Sequence, residues 1–239
     1  MLSETSIIIL NYTRYSDSSI IVNALSEKYG RIAFIVYGIG GKHKTSLSSF
    51  QPLYMLDIQV YHKASKGLHK LKEYKINPPL YNLSADIRKS SLALFIAELL
   101  YKTIKEEFAD ISLYNFIKTS LLILNELEDN LAIYHLVFLL KLSRYLGFAP
   151  EADSSNSKYY DYKEGVPTNT IPHHNYYLNR TDFETCIVLL SINFSALNSI
   201  TIDKLQRDRI LNALLSLFEI HILNFNSLKS YPILKAVFS

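Results

Sequence analysis

Cysteine is nearly absent from this chain, since Cys186 is the only one among 239 residues. A single cysteine excludes a disulfide framework and any zinc or iron–sulfur site that is built from several cysteines. Long apolar runs are also scarce, because the most apolar stretch, residues 131–148, is interrupted by His135, Lys141 and Arg144. This stretch therefore predicts a buried helix and no membrane span.

The N-terminal segment lacks the basic start of a secretory signal peptide and carries Glu4 among its first residues. Apolar residues make up 49% and charged residues 20% of the chain, which excludes an intrinsically disordered protein. We therefore expect a folded cytoplasmic protein that has no contact with a membrane.

Positive charge is concentrated in the first third of the chain. Residues 1–80 hold ten Lys and Arg against five Asp and Glu, an excess of +5, whereas the remainder has a net charge of −2. A basic sub-region indicates a polyanionic partner or, equally well on charge alone, a solvated lysine-rich surface.

The first third also has the sequence pattern of β-strands. The predicted strands are Thr5–Tyr12, Ser19–Leu25, Arg31–Tyr37, Tyr54–Tyr61 and Leu68–Ile76. Leu71 lies out of phase with Leu68, which predicts a bulge in the fifth strand. Five strands in about 75 residues predict a small closed or half-closed barrel, because closure removes exposed sheet edges.

Helical periodicity begins at Ser84. Apolar spacing predicts helices over residues 92–103, 110–126 and 131–145. The third is apolar nearly all round and ends at Gly147, which predicts a central position in a bundle. Asp110 is placed to cap the second of these helices. Thr181–Glu184 has the spacing of a capping box for a short helix, and Asp203 is placed to cap a long one.

Residues 150–180 interrupt the helical pattern and are rich in Ser, Asn, Pro, Gly and Tyr. An irregular insertion of this length is uncommon inside a compact domain and is often functional or specially stabilised. The chain is thus predicted to be an α+β protein. A barrel domain covers residues 1–79, and a helical bundle domain with this insertion covers residues 80–239.

No catalytic motif is found. Gly41-Lys42 is followed by His43, where a phosphate-binding loop requires Ser or Thr and a dinucleotide fingerprint requires Gly. His173-His174 and Cys186 match no standard metal spacing, and a free cysteine in an apolar stretch is typically buried. We therefore predict no enzyme, no metal site and no cofactor.

Cations in the first third alternate with aromatic residues. Lys and Arg neutralise phosphates, and aromatic faces stack on unpaired bases at about 1–3 kcal/mol per base. Small barrels commonly bind single strands by this combination, although core packing of the aromatics and solvation of the cations are the alternative interpretation. The candidate DNA-binding residues are Arg14, Arg31, Tyr37, Lys42, His43, Lys44, Tyr61, Lys63, Lys66, Lys70 and Lys72.

Short motifs along nearly the whole chain resemble the RecO family of bacterial DNA repair proteins. These motifs are Tyr15–Ser18, Glu27–Arg31, Gly38–Ser46, Phe50–Leu53, Glu98–Tyr101, Leu146–Pro150 and His221–Ser230. The resemblance rests on their order and spacing, since each motif is weak alone.

The resemblance implies an N-terminal OB-fold barrel, a C-terminal helical domain and a non-catalytic role in recombinational repair. Members bind single- and double-stranded DNA and anneal complementary strands. With RecR, they help load RecA onto DNA coated by single-strand-binding protein, whose acidic C-terminal tail is a partner. The expected location is the cytoplasm, in association with the nucleoid.

Many members of the family carry a four-cysteine zinc site directly after the Leu146–Pro150 motif. Residues 151–180 of this chain contain no cysteine, so we predict that no zinc binds here. Aromatic clusters are predicted to hold the insertion instead. The tyrosines available for them are Tyr159, Tyr160, Tyr162, Tyr176 and Tyr177.

A protein-interaction adaptor is the alternative function. In that interpretation the helical domain binds a partner peptide, such as an acidic tail, and the barrel has little direct contact with DNA. The two functions differ in one requirement, because an adaptor needs no phosphate contacts.

Overall fold

Five strands form the N-terminal part of this computed structural model, which describes residues 2–40, 46–63, 67–105, 108–152 and 157–238. The strands are β1 (Leu2–Ser16), β2 (Ser19–Ser26), β3 (Gly30–Tyr37), β4 (Met55–Tyr61) and β5 (His69–Ile76). All five predicted strands are confirmed. β1 is longer than predicted at both ends, where most of its residues are polar and give no alternating pattern.

The strands close a barrel in the order β1-β2-β3-β5-β4, with β4 paired to β1. Neighbouring strands are antiparallel except β3 and β5, which run parallel where Ile35 pairs with Lys70. This topology is that of the OB-fold, and the expected barrel is confirmed.

β5 contains the predicted bulge. Gln59 of β4 pairs with Glu73, and the next residue, Val60, pairs with Leu71. Lys72 is therefore the extra residue, and it accounts for the change of phase between the beginning and the end of this strand.

Helices make up most of the remaining chain. They are α1 (Tyr81–Ala85), α2 (Ile87–Thr103), α3 (Ile111–Glu126), α4 (Leu131–Tyr145), α5 (Arg180–Ser191), α6 (Lys204–His221) and α7 (Tyr231–Val237). α4 is buried over most of its circumference, and Gly147 follows it with a φ of +84°, as predicted. No helix in the described ranges combines the length and the apolar character needed to cross a bilayer.

β1 is covered on both of its faces. Ile7 and Ile9 belong to the barrel core. Ile8 and Leu10 are as deeply buried on the outer side, where α2 packs against β1. Since side chains alternate along a strand, four consecutive apolar residues mark a strand between two apolar layers.

Two predicted helix caps are confirmed and one is corrected. The carboxylates of Asp110 and Asp203 accept backbone N–H groups at the first turns of α3 and α6. α5 begins before the predicted capping box, because Asn179 accepts the Asp182 backbone N–H at 2.9 Å. The Asn179 side-chain amide also donates to the Asp182 carboxylate at 2.9 Å, so Asn179 is the cap of α5 and Thr181 is not.

The insertion at residues 150–180 is more regular than predicted. Three short strands, β6 (Tyr159–Asp161), β7 (Val166–Thr168) and β8 (Tyr177–Asn179), form a sheet in the order β7-β6-β8. Strands of three residues are too short to produce an alternating pattern, which is why the sequence suggested an irregular segment.

Aromatic contacts hold this small sheet, as predicted. Tyr160 stacks on Phe183 of α5 with ring centroids 4.3 Å apart. Tyr159 meets Tyr177 edge-on at 5.5 Å, and Tyr162 meets Tyr176 at 6.1 Å. We call these six residues the aromatic clasp, and they join β6 to β8 and to α5.

The chain divides into two compact units. One consists of Met1–Glu126 with Leu228–Val237, and the other of Leu127–Ser227 with Phe238–Ser239. The barrel therefore shares a compact unit with α1, α2, α3 and α7. The division of the sequence at residue 79 stays a prediction.

Candidate nucleic-acid interface

Tyr37, Lys70 and Tyr61 come together on the outer surface of the barrel. Lys70 pairs with Tyr61 on β4 and with Ile35 on β3, and its Nζ lies 5.8 Å from the centroid of the Tyr37 ring. The two rings are 56% and 49% exposed, respectively. We call these three residues the aromatic ridge.

The alternation of the strands explains why these side chains point outward. Val36 and Val60 fill the barrel core. Their successors, Tyr37 and Tyr61, must therefore point away from it, and each is the last residue of its strand. The ridge thus carries a cation between two exposed rings, which is the combination that binds unpaired strands.

Lys63 extends the positive charge beyond the end of β4. It is exposed and lies two residues after Tyr61. Four other candidates, Lys42, His43, Lys44 and Lys66, lie outside the described residues.

A stack of rings that the sequence analysis missed anchors both ends of the β4–β5 connection. The His62 ring lies nearly parallel to Tyr29 at 4.0 Å, and His62 and His69 are 4.5 Å apart. Tyr29 is in the β2–β3 turn, so no local pattern in the sequence could have paired it with His62. The stack fixes the point at which the chain carrying Lys63 leaves the barrel.

Lys72 is held in a mixed polar network beside the ridge. Its Nζ lies 3.1 Å from the side-chain oxygen of Gln59 and 3.6 Å from the carboxylate of Glu73. Gln59 in turn donates to the carboxylate of Glu4 at 2.7 Å. Two acids therefore surround Lys72, and the structure does not join it to the ridge.

The acidic character continues on the outer face that β1, β4 and β5 share. Burial alone would raise the pKa of Asp57, but hydrogen bonds from Ser6 at 2.6 Å and Asn77 at 2.5 Å outweigh it. Lys118 and Lys75 lower this pKa further. The carboxylate is therefore ionised at neutral pH, and it makes this face unfavourable for a polyanion.

Arg31 lies in the packing between β3 and α2. Its guanidinium donates to the carbonyls of Tyr101 at 2.8 Å and Ile104 at 2.7 Å, and it lies 4.4 Å above the Tyr101 ring. A cation at the C-terminus of a helix satisfies free carbonyls and interacts favourably with the helix dipole. This placement separates Arg31 from the ridge.

Arg14 lies on the opposite side of the sheet from Tyr37. It pairs with Ile20, whose side chain belongs to the barrel core, whereas Tyr37 points outward. Arg14 is exposed near the tip of the β1–β2 hairpin, and the backbone N–H of Ile39 donates to Ser18 in that tip at 2.9 Å. It is therefore available to a ligand, but on a different surface from the ridge.

Comparison with known proteins identifies the family. The sequence models for Recombination protein O N terminal and Recombination protein O C terminal match residues 1–79 and 84–232. A DNA repair protein RecO of Azobacteroides pseudotrichonymphae is 32% identical over 241 residues, and one of Bacteroides fragilis is also 32% identical, each with 100% of both chains covered. A third, from Flavobacterium psychrophilum, is 30% identical with 99% of both chains covered.

This chain belongs to the RecO family. The resemblance found in the sequence motifs is confirmed over the whole length. Membership of the RecO family gives the chain a role in recombinational DNA repair, which agrees with its OB-fold barrel.

Two RecO motifs that are far apart in the sequence meet at Glu98 of α2. Its carboxylate accepts the backbone N–H groups of Lys229 at 2.9 Å and Ser230 at 2.8 Å, and the Ser230 hydroxyl at 2.6 Å. Burial alone would raise the pKa of Glu98, but these hydrogen bonds and Lys102 lower it. Glu98 therefore binds the segment that leads into α7, a role that its position in α2 did not suggest.

The insertion of this RecO family member carries no cysteine, and the neighbouring Cys186 is fully buried in α5. Burial raises the pKa of its thiol to about 12, so the thiolate is scarce at neutral pH. His174 lies 3.1 Å from the carboxylate of Asp161. No group of three metal-ligating side chains occurs within the described part of the chain.

Proposed function

We propose that this chain is a non-catalytic DNA-binding mediator of recombinational repair. It binds single- and double-stranded DNA and anneals complementary strands. With RecR, it helps load RecA onto DNA coated by single-strand-binding protein, and it contacts the acidic tail of that protein. Family membership and the exposed aromatic ridge on the barrel support this proposal.

Phosphate contacts are assigned first to Lys70 and Lys63, since both are exposed and lie on or next to the ridge. Lys42, His43, Lys44 and Lys66, which lie outside the described residues, are proposed to add further phosphate contacts. Arg14 would bind a phosphate from the hairpin. Arg31 and Lys72 are proposed to contribute less, because each already has partners within the chain.

Annealing follows from neutralisation of charge. Two complementary strands repel each other through their phosphates, and bound cations reduce that repulsion while they release counterions. A surface that neutralises phosphates without covering every base edge leaves the bases free to pair. No bond is made or broken by the protein in this mechanism, so no catalytic residue is required.

Fluorescence anisotropy of a labelled single-stranded oligonucleotide at several salt concentrations tests the proposal. We expect binding that weakens steeply with salt. Changing Lys63 and Lys70 together to alanine should make the salt slope shallower by about 1.4, because each lost contact to a single strand removes about 0.7. Lys163→Ala, an exposed lysine in the β6–β7 turn, is the matched control and should leave the slope unchanged.

Absence of binding even at low salt would contradict the proposal. The peptide-binding adaptor would then be the better account. An unchanged slope in the double variant would show instead that DNA binds elsewhere on the protein.

A further inference from the structure

Three rings from three different segments meet at one end of the barrel. Tyr29 lies in the β2–β3 turn, His62 directly follows β4, and His69 begins β5. The His62 ring lies 4.0 Å from Tyr29 with an angle of 11° between their planes, and it lies 4.5 Å from the ring of His69. We call Tyr29, His62 and His69 the ring stack.

The strand register explains why the two histidines meet. Tyr61 pairs with Lys70 in the antiparallel ladder of β4 and β5, so His62 and His69 are the next residues along the two strands. The backbone N–H of His62 donates to the carbonyl of Val60, within its own strand, at 3.0 Å. The contact between the two imidazoles therefore continues the pairing by side chains after β4 has ended.

Tyr29 is the fixed support of the ring stack. Its hydroxyl forms a hydrogen bond with the hydroxyl of Ser3 on β1, and its ring packs against the barrel core. Its backbone N–H donates to the Ser26 hydroxyl at 3.3 Å, and that hydroxyl lies 2.9 Å from the Thr5 hydroxyl. The β2–β3 turn is thus tied to β1 on both sides of the ring that His62 contacts.

Lys63 depends on this support, because it directly follows His62 and lies outside the β4–β5 ladder. Its side chain is exposed and is assigned a phosphate contact in the proposed function. A cation that is carried on a fixed backbone loses less conformational freedom when it binds, so a fixed Lys63 binds a phosphate more tightly than a mobile one.

We infer that His62 is a positioning residue for DNA binding, which acts through Lys63 by fixing the backbone on which Lys63 is carried. Tyr29 covers one face of the His62 ring, and the other neighbour, His69, is only 7% exposed. The imidazole is therefore engaged within the protein and acts without contact to DNA. This inference rests on the proposed function and adds a residue that the charge pattern could not identify.

The first test measures anisotropy of a labelled oligo(dT) strand at several salt concentrations. Lys63→Ala should weaken binding about fivefold at 0.1 M salt and make the slope shallower by about 0.7, the value for one contact to a single strand. His62→Ala should reproduce most of this loss. His62→Phe keeps a flat ring that cannot carry a charge, and it should bind within twofold of the unmodified protein.

A double variant shows whether His62 acts through Lys63. Combining His62→Ala with Lys63→Ala should weaken binding no further than Lys63→Ala alone, to within twofold, since the positioned cation is already absent. The matched combination is His62→Ala with Arg14→Ala, because Arg14 lies near the tip of the β1–β2 hairpin. In that combination the two losses should multiply.

A second test examines the positioning without DNA. Lys63→Cys provides a site for a fluorescent label, while Cys186 is fully buried and stays unmodified in the native protein. Time-resolved anisotropy of the label should show greater local motion in His62→Ala and in Tyr29→Ala, and the motion of the unmodified background in His62→Phe. His173→Ala, a change at an exposed histidine in the insertion, is the control and should leave the motion unchanged. Circular dichroism spectra establish that each variant is folded.

The outcomes separate this inference from the proposed function. Losses that multiply in the variant lacking both His62 and Lys63 would overturn the inference and leave DNA binding intact. Unchanged motion of the label in His62→Ala would overturn it as well, and so would a loss of affinity in His62→Phe equal to that in His62→Ala. Absence of binding by the unmodified protein would instead contradict the proposed function itself.

Discussion

His135 is an imidazole buried in the middle of α4, with only 2% of its surface exposed. Burial, together with the nearby charge of Arg207, lowers its pKa to about 3. The ring lies 6.2 Å from Phe238. The native protein therefore keeps this residue neutral at pH values at which an unfolded chain would protonate it, and folding becomes linked to pH.

We predict that this linkage is measurable between pH 7 and pH 5. The unfolded state binds a proton at His135 below about pH 6.5, whereas the native state does not until about pH 3. Stability is thus fully present above pH 6.5 and falls as pH decreases, by up to about 1.4 kcal/mol per pH unit. The His135→Leu variant should lack the part of this decrease in unfolding free energy that comes from His135. Urea unfolding at pH 7 and at pH 5 measures it.

His173→Leu is the matched control, since His173 is an exposed histidine outside the helices. It should retain the pH dependence of the unmodified protein. If His135→Leu also retained it, protonation of the buried imidazole would not account for the loss of stability in acid.

Single residues also show which parts of the candidate site the sequence could predict. Tyr37 and Tyr61 follow core valines in clear strands, so alternation alone predicts that they point outward. The position of Arg31 could not be predicted, because its partner Tyr101 is 70 residues away. Charge and aromatic content identify candidates, but contacts that are distant in the sequence decide which of them are exposed.

At the level of secondary structure, the aromatic clasp joins the insertion to α5. Tyr160→Ala should destabilise the protein by about 3 kcal/mol, because it removes a buried ring that stacks on Phe183 at 4.3 Å. Tyr160→Phe keeps the ring and should cost less than about 1 kcal/mol. Denaturant unfolding monitored by circular dichroism gives both values.

A chelator extends this prediction to metal binding. Addition of EDTA should leave the unfolding midpoint of the unmodified protein unchanged, since the insertion has no cysteine to form a structural zinc site. A decrease in the midpoint with EDTA would show that a metal contributes to the fold after all.

The elements that the sequence predicted are long and have one clear period. β4 alternates, α4 is apolar nearly all round, and Asp110 and Asp203 give local start signals. The elements that it missed are short. β6, β7 and β8 have three residues each and α7 has seven, so tertiary contacts and not local periodicity determine them.

At the level of the whole molecule, the last helix completes the unit that contains the barrel. α7 packs against α2, with Leu234 only 1% exposed. Glu98 of α2 accepts three hydrogen bonds from Lys229 and Ser230 just before α7. One apolar and one polar contact therefore hold the same short helix, which could not form alone at this length.

This arrangement predicts that the two contacts are energetically coupled. Glu98→Gln should cost about 1–3 kcal/mol through weakened charged hydrogen bonds, and Leu234→Ala about 2–5 kcal/mol. If the loss of either contact releases the whole of α7, the second substitution removes a contact that is already broken. The double variant should then cost at least about 0.5 kcal/mol less than the sum of the single variants, as measured by urea unfolding.

Leu189 provides the control for this cycle, because it is fully buried in the other compact unit. Glu98→Gln combined with Leu189→Ala should be additive, since the two residues share no partner. Additive costs for Glu98 and Leu234 as well would mean that α7 stays bound when either contact is lost. Glu98 and Leu234 would then contribute independently to holding the C-terminal helix on α2.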